Sequence, residues 1–132
     1  MSGRRILVDT SIWIDYFQGG SPEIAERLDA MLTGEEIFVP GIVLAELIQG
    51  ARSPKEVGVI EEFIEAFHLI DQKENTWRRA GKLSFDLKKK GKTIHLTDCY
   101  IAIMAMDHGC DIFTLDKHFK EIQKQVPIGL TS

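Results

Sequence analysis

In RRILVDTSIWIDYF, residues 4–17, three consecutive apolar side chains, Ile6, Leu7 and Val8, run straight into an acid, Asp9, and then into a helical pattern. A continuous apolar run this short marks a strand covered on both faces, as in a parallel sheet; alternation would mark a strand with one wet face. A strand over Arg4–Asp9 is therefore expected. Thr10 or Ser11 can cap the short helix that follows, which carries Ile12, Trp13, Tyr16 and Phe17 and stops at Gly19-Gly20.

Outward from this unit the alternation of strand and helix continues. Ser21 and Pro22 open a second helix with apolar residues at Ile24, Leu28, Met31 and Leu32, closed by Gly34. Ile37–Val39 is the next strand. It breaks at Pro40-Gly41, and Val43, Leu44, Leu47 and Ile48 then form one helical face that also carries Glu46. Ser53 to Glu56 has the spacing of a capping box before a helix running through Val57, Ile60, Phe63, Ile64 and Phe67, with a strand near His68–Ile70. Trp77, Ala80, Leu83 and Leu87 mark a longer helix ended by Gly91. Thr97 is placed to cap a helix from Asp98 to His108 that is apolar nearly all round, and so is expected to be buried. Strand Ile112–Leu115, a short helix over Lys117–Ile122 and an edge strand over Pro127–Leu130 complete the chain. The pattern predicts an α/β sandwich around a mostly parallel sheet.

The 132 residues, 44% hydrophobic and 27% charged, fit a single domain spanning 1–132, with no linker or repeat to divide it. No apolar run approaches the roughly 20 residues needed to cross a bilayer, and the N-terminus reaches Asp9 too soon for a signal peptide. A cytoplasmic protein with no membrane partner is expected. Cys99 and Cys110 form no Cys-x-x-Cys pair and read as reduced, buried small hydrophobes. The net charge of −4 argues against a generic nucleic-acid binder, but it is unevenly spread. Residues 1–66 carry 5 basic and 12 acidic side chains, whereas residues 67–132 carry 11 basic and 8 acidic, so distinct acidic and basic faces are expected.

In open α/β sheets the functional crevice lies at the carboxyl ends of the strands. Asp9 and Asp116 stand directly after expected strands, Glu46 lies in the first two turns of its helix, and Asp98 opens the buried one, so all four can converge. Each also has a purely structural explanation as a cap, a dipole partner, a solvated helix residue or a turn starter. Crowded carboxylates repel one another unless a cation neutralises them, and a hard divalent ion, Mg²⁺ or Mn²⁺, takes oxygen ligands. Such an ion supports phosphodiester hydrolysis by activating a water and stabilising the leaving oxygen. Thr10, Ser11 and Thr114 offer hydroxyls to hold a carboxylate or a bound water, or merely turn hydrogen bonds.

No histidine has a zinc-ligand spacing; His118, two residues after Asp116, is close enough to reach a bound phosphate, though such histidines are more often surface turn residues. The P-loop, dinucleotide-binding and serine-elbow signatures are all absent. An Mg²⁺-dependent phosphotransfer domain, aspartyl phosphatase or receiver-like, would also place an Asp after the first strand. The phosphatase pattern wants a second Asp two residues later, where this chain has Ser11.

The segments ILVDTSIWIDYF, VPGIVLAELIQGAR, LTDCYIAIMA and IFTLDKHF resemble, in order and spacing, the four acidic motifs of PIN-domain ribonucleases, most closely the VapC-type toxins of toxin–antitoxin pairs. The resemblance spans nearly the whole chain. It implies a three-layer α/β/α sandwich, with Asp9, Glu46, Asp98 and Asp116 as the Mg²⁺- or Mn²⁺-binding catalytic acids and Thr114 supporting the last. It implies an RNA substrate, a homodimer, and a small VapB-like antitoxin that wraps the groove, with the exposed members of Trp13, Tyr16 and Phe17 as contacts. A role in RNA processing rather than toxicity is the neighbouring reading. Candidates for phosphate contact are Arg4, Arg5, Lys88, Lys89, Lys90, Lys92, Lys117 and Lys120.

Overall fold

In the computed structural model, which describes residues 3–131, strand β1 (Arg5–Val8) lies at the centre of a five-stranded sheet. It pairs with β2 (Glu36–Pro40) on one side and β4 (Asp111–Phe113) on the other. Outside these lie β3 (His68–Ile70), against β2, and β5 (Gly129–Thr131), against β4, and every pairing is parallel. Ile6, Leu7 and Val8 are wholly buried, as their uninterrupted apolar run requires. The edge strand β3 is mostly exposed.

Helices α1 (Thr10–Phe17), α2 (Pro22–Gly34), α3 (Gly41–Gln49) and α4 (Pro54–Ile64) pack on one another. Helices α5 (Thr76–Lys89), α6 (Leu96–His108) and α7 (His118–Gln123) form a second group, giving a three-layer α/β/α sandwich. Residues Cys99–Ala105 of α6 are buried without a break, so that helix lies in the core rather than on it. It ends where Gly109 takes φ +64°, a left-handed conformation that costs glycine little. Cys99 and Cys110 are free and buried, and burial pushes both thiols up to about 11, which leaves neither a ready nucleophile.

Several local expectations are corrected. Neither Thr10 nor Ser11 caps α1: Asp9 occupies the cap position, and its carboxylate makes no capping bond. Thr97 lies inside α6, which starts at Leu96 behind an uncapped His95. Ser21 and Ser53 do cap α2 and α4, accepting from the N–H groups of Ile24 and Glu56. Strand β4 ends at Phe113 instead of Leu115, because Thr114 and Leu115 turn their polar groups towards α1. The last strand is Gly129–Thr131 and α4 stops at Ile64. Trp13 is wholly buried, with Phe17, Phe63 and Phe67 ring centroids about 6 Å away, so it is no surface contact; Tyr16 and Phe17 are half-buried.

Candidate active site

The chain leaves β1 towards β2 and β3 and returns on the opposite flank as β4, so the strand order reverses between β1 and β4. The crevice at the carboxyl ends of strands beside such a reversal is where α/β sheets place ligands. Asp9 follows β1 directly, and its backbone N–H donates to the Phe113 carbonyl at 2.9 Å, tying the two strand ends together.

Asp9 is only 5% exposed. Its Oδ2 accepts from the hydroxyls of Ser11 at 2.9 Å and Thr114 at 2.8 Å. Those hydroxyl oxygens in turn accept from the backbone N–H groups of Leu115 and Asp116, both at 3.0 Å. The Asp9 carboxylate is thus fixed by donors that are themselves fixed by the β4–α7 turn. No hydrogen bond falls on Asp9 Oδ1 among the described residues, which leaves that oxygen available to a ligand. Thr114 touches Asp116 only through the backbone and gives its proton to Asp9.

Asp98, in the first turn of α6, has a side chain 14% exposed. Burial, then the nearby charges of Asp116 and Asp9, push its carboxyl up to about 7, against a smaller opposing pull from His118. That shift has two physical sources, desolvation first and then the repulsion of two neighbouring acids. His118 Nδ1 lies 3.2 Å from Asp116 Oδ1 and 3.8 Å from Asp98 Oδ2, and the three side chains offer ligand atoms within 4.8 Å of one another. The histidine therefore stands among the acids. Its position two residues after Asp116 was the only sequence signal for this.

Glu46, from the middle of α3, stands slightly apart. Its Oε1 accepts from the Thr10 hydroxyl at 2.9 Å, which links it to the first turn of α1 but not to the Asp98–Asp116 cluster. Thr10, Ser11 and Thr114 thus all hold carboxylates. Among the basic candidates, Arg4 and Arg5 sit at the start of β1, away from this crevice, and pair with Glu35 and Glu36. Lys92 pairs with Glu121, and Lys90 is held by Gln125. Lys117 and Lys120 flank the crevice beside Asp116.

A model of the PIN domain family matches residues 6–125. Ribonuclease VapC1 of Methanocaldococcus jannaschii is 34% identical over 121 residues, covering 91% of this chain and 82% of that protein. Among solved structures, DNA-bound VapBC from Salmonella typhimurium matches with a TM-score of 0.79 at 25% identity. VapBC-1 from nontypeable Haemophilus influenzae matches with 0.77 at 26%, and each comparison covers 97% of both chains.

Proposed function

This chain belongs to the PIN-domain family, and from that premise we propose that it is a metal-dependent endoribonuclease, the toxin of a VapBC-type pair. The observation that carries the reading is the meeting of Asp9, Asp98 and Asp116 at the strand-order reversal, where burial first and the neighbouring acids second push Asp98 up to about 7. The donor set fits a hard divalent ion: carboxylate oxygens dominate it, and Asp9 keeps one oxygen free. His118 adds a nitrogen that Mn²⁺ tolerates better than Mg²⁺.

Asp9, Asp98 and Asp116 are the residues that would hold the ion, with Glu46 as the fourth acid at the rim. Bound there, a divalent ion supplies an activated water and charge neutralisation at the scissile phosphate. The chain's own groups do the positioning. Ser11 and Thr114 hold Asp9 in one orientation without neutralising it, and Thr10 does the same for Glu46. His118 bridges Asp116 and Asp98 and is half exposed, so it can meet a substrate phosphate from the solvent side. No side chain in this arrangement needs to form a covalent intermediate.

The reading extends to a cytoplasmic RNA substrate, a VapB-like antitoxin and pairing of two copies. The solved VapBC complexes support the antitoxin, and no helix among the described residues is long and apolar enough to cross a membrane. The test is cleavage of cellular RNA by the purified protein in Mg²⁺, Mn²⁺ or chelator. Asp9→Asn and Asp98→Asn are expected to lower the rate on the order of 10²–10³-fold, and chelator to abolish it. Cleavage that persists in chelator, or survives both substitutions, overturns the mechanism. Growth arrest on expression, relieved by the product of the adjacent reading frame, separates a toxin from an RNA-processing enzyme.

A further inference from the structure

Beside the acidic cluster, over the ends of β4 and β5, lies a cavity of about 340 Å³ lined by cations. Arg27 of α2 stands on one side, and Lys117 and Lys120 on the other. Thr114 and Asp116 form the border it shares with the acids, and Asp116 is its one acidic lining residue among those described. Its apolar lining is Ile24, Leu115 and Leu130, and beneath it the buried Phe113 ring supports the Arg27 guanidinium, 5.6 Å from the ring centroid.

Among the described residues none of these three cations forms an ion pair, whereas Arg4, Arg5, Arg79, Lys92 and Lys124 all do. Three unneutralised positive charges around one concave, partly apolar space repel one another, and an anion with an apolar body relieves that repulsion. A nucleotide is such an anion. The volume is at the small end of ligand sites, suited to one unit of a strand and too narrow for a duplex. An arginine laid against an aromatic wall is also a surface on which an unpaired base stacks.

We propose that this cavity is the subsite for the nucleotide adjacent to the scissile bond of single-stranded RNA. Its phosphate lies between Lys117 and Lys120, and its base lies over the solvent-facing side of the Arg27 guanidinium, which Phe113 supports from below. The inference rests on the ribonuclease reading above and deepens it. Asp116 then sits between two fields of opposite sign: the acids that hold the cation for chemistry, and the cations that seat the neighbouring nucleotide.

The test is binding of a fluorescein-labelled mixed-sequence RNA decamer in chelator, where it is not cut, across a range of salt concentrations. Lys117→Gln and Lys120→Gln are each expected to weaken binding on the order of tenfold and to flatten the salt dependence by roughly 0.7 in log–log slope. The triple variant with Arg27→Gln should lose more, whereas Lys82→Gln, which removes the same charge from an exposed position of α5 that does not line the cavity, should stay within about twofold of wild type. Both lysines are exposed, so the single variants decide the matter if the triple variant folds poorly. Wild-type binding no tighter than the lysine variants, or losses matched by Lys82→Gln, overturns the subsite.

Cleavage of cellular RNA in Mn²⁺ separates the two readings. A wild type that cuts while the lysine variants keep its KM sinks the cavity and leaves the enzyme standing. Decamer binding lost in the variants, with no cleavage by wild type in any divalent ion, sinks the enzyme and leaves a nucleotide site.

Discussion

Thr114 illustrates how much one hydroxyl can hold: it donates to Asp9 Oδ2 and accepts from the Asp116 N–H, joining the ends of two strands through one oxygen. Thr114→Val keeps the shape and removes both bonds, leaving a backbone donor unpaired beside a carboxylate with one donor fewer. The expected cost is about 1–3 kcal/mol of stability, read by urea unfolding, and 10–100-fold in RNA cleavage. Asp98 carries the pH dependence. Its carboxyl titrates near 7 in the fold and near 3.8 as an ordinary aspartate, so the folded protein binds the extra proton between those values. Metal-free stability therefore falls as pH rises from about 4 through 7 and then levels, by roughly 1–2 kcal/mol once screening by water at the open side is allowed for. Asp98→Asn should flatten this part of the profile in thermal melts from pH 4 to 8. Binding of a divalent ion displaces the same proton, so apparent affinity should climb with pH through 7. An unchanged profile in the variant would show that Asp98 does not carry the extra proton.

At the scale of elements, helix starts divide into two kinds. The helices that supply Thr10 and Ser11, Glu46, and Asp98 begin without a side-chain cap, at Asp9, Pro40 and His95. Helices α2 and α4, which supply no candidate acid, are capped by serine, although α5, which supplies none either, also begins uncapped, at Asn75. Asp9 shows the trade-off: the residue best placed to cap α1 turns its carboxylate into the crevice instead. Ser53→Ala should thus cost about 1 kcal/mol and leave RNA cleavage at the wild-type rate, which a urea melt and an activity assay on one preparation would check. This division also explains what was legible in the sequence. Short apolar runs ending at an acid located β1 and Asp9, and an all-round apolar helix located α6 and Asp98, because burial writes its period directly into residue type. At α1 local cap propensity is overridden by a long-range partner, Thr114, which bonds Asp9 from 105 positions away, whereas α6 simply starts one residue before Thr97, behind an uncapped His95. Arg27 was invisible for the same reason. It is an ordinary helical arginine until β4 brings Phe113, and the start of α7 the two lysines, to the same cavity.

At the scale of the molecule, the candidate site has no local origin. Its acids come from the end of β1, from α3, from the start of α6 and from the turn after β4, and only the completed sheet brings them together. An ion held by Asp9, Asp98 and Asp116 would therefore join the first strand to the fourth and both to the buried helix, so a ligand that binds only there stabilises the whole fold. A domain of this size is expected to unfold in one cooperative step, and saturating its site a hundredfold above Kd adds about 2.7 kcal/mol. For 132 residues that corresponds to a rise of roughly 10 °C in Tm. Titration with Mn²⁺ should move the far-UV dichroism and tryptophan fluorescence transitions together, since Trp13 is wholly buried in one helical layer and Trp77 stacks on Tyr100 in the other. Asp98→Asn should lose most of the rise, while Lys88→Gln should keep it. Separate movement of the two probes, or an equal rise in Asp98→Asn, would mean that the ion binds elsewhere or grips only a part of the molecule that opens on its own.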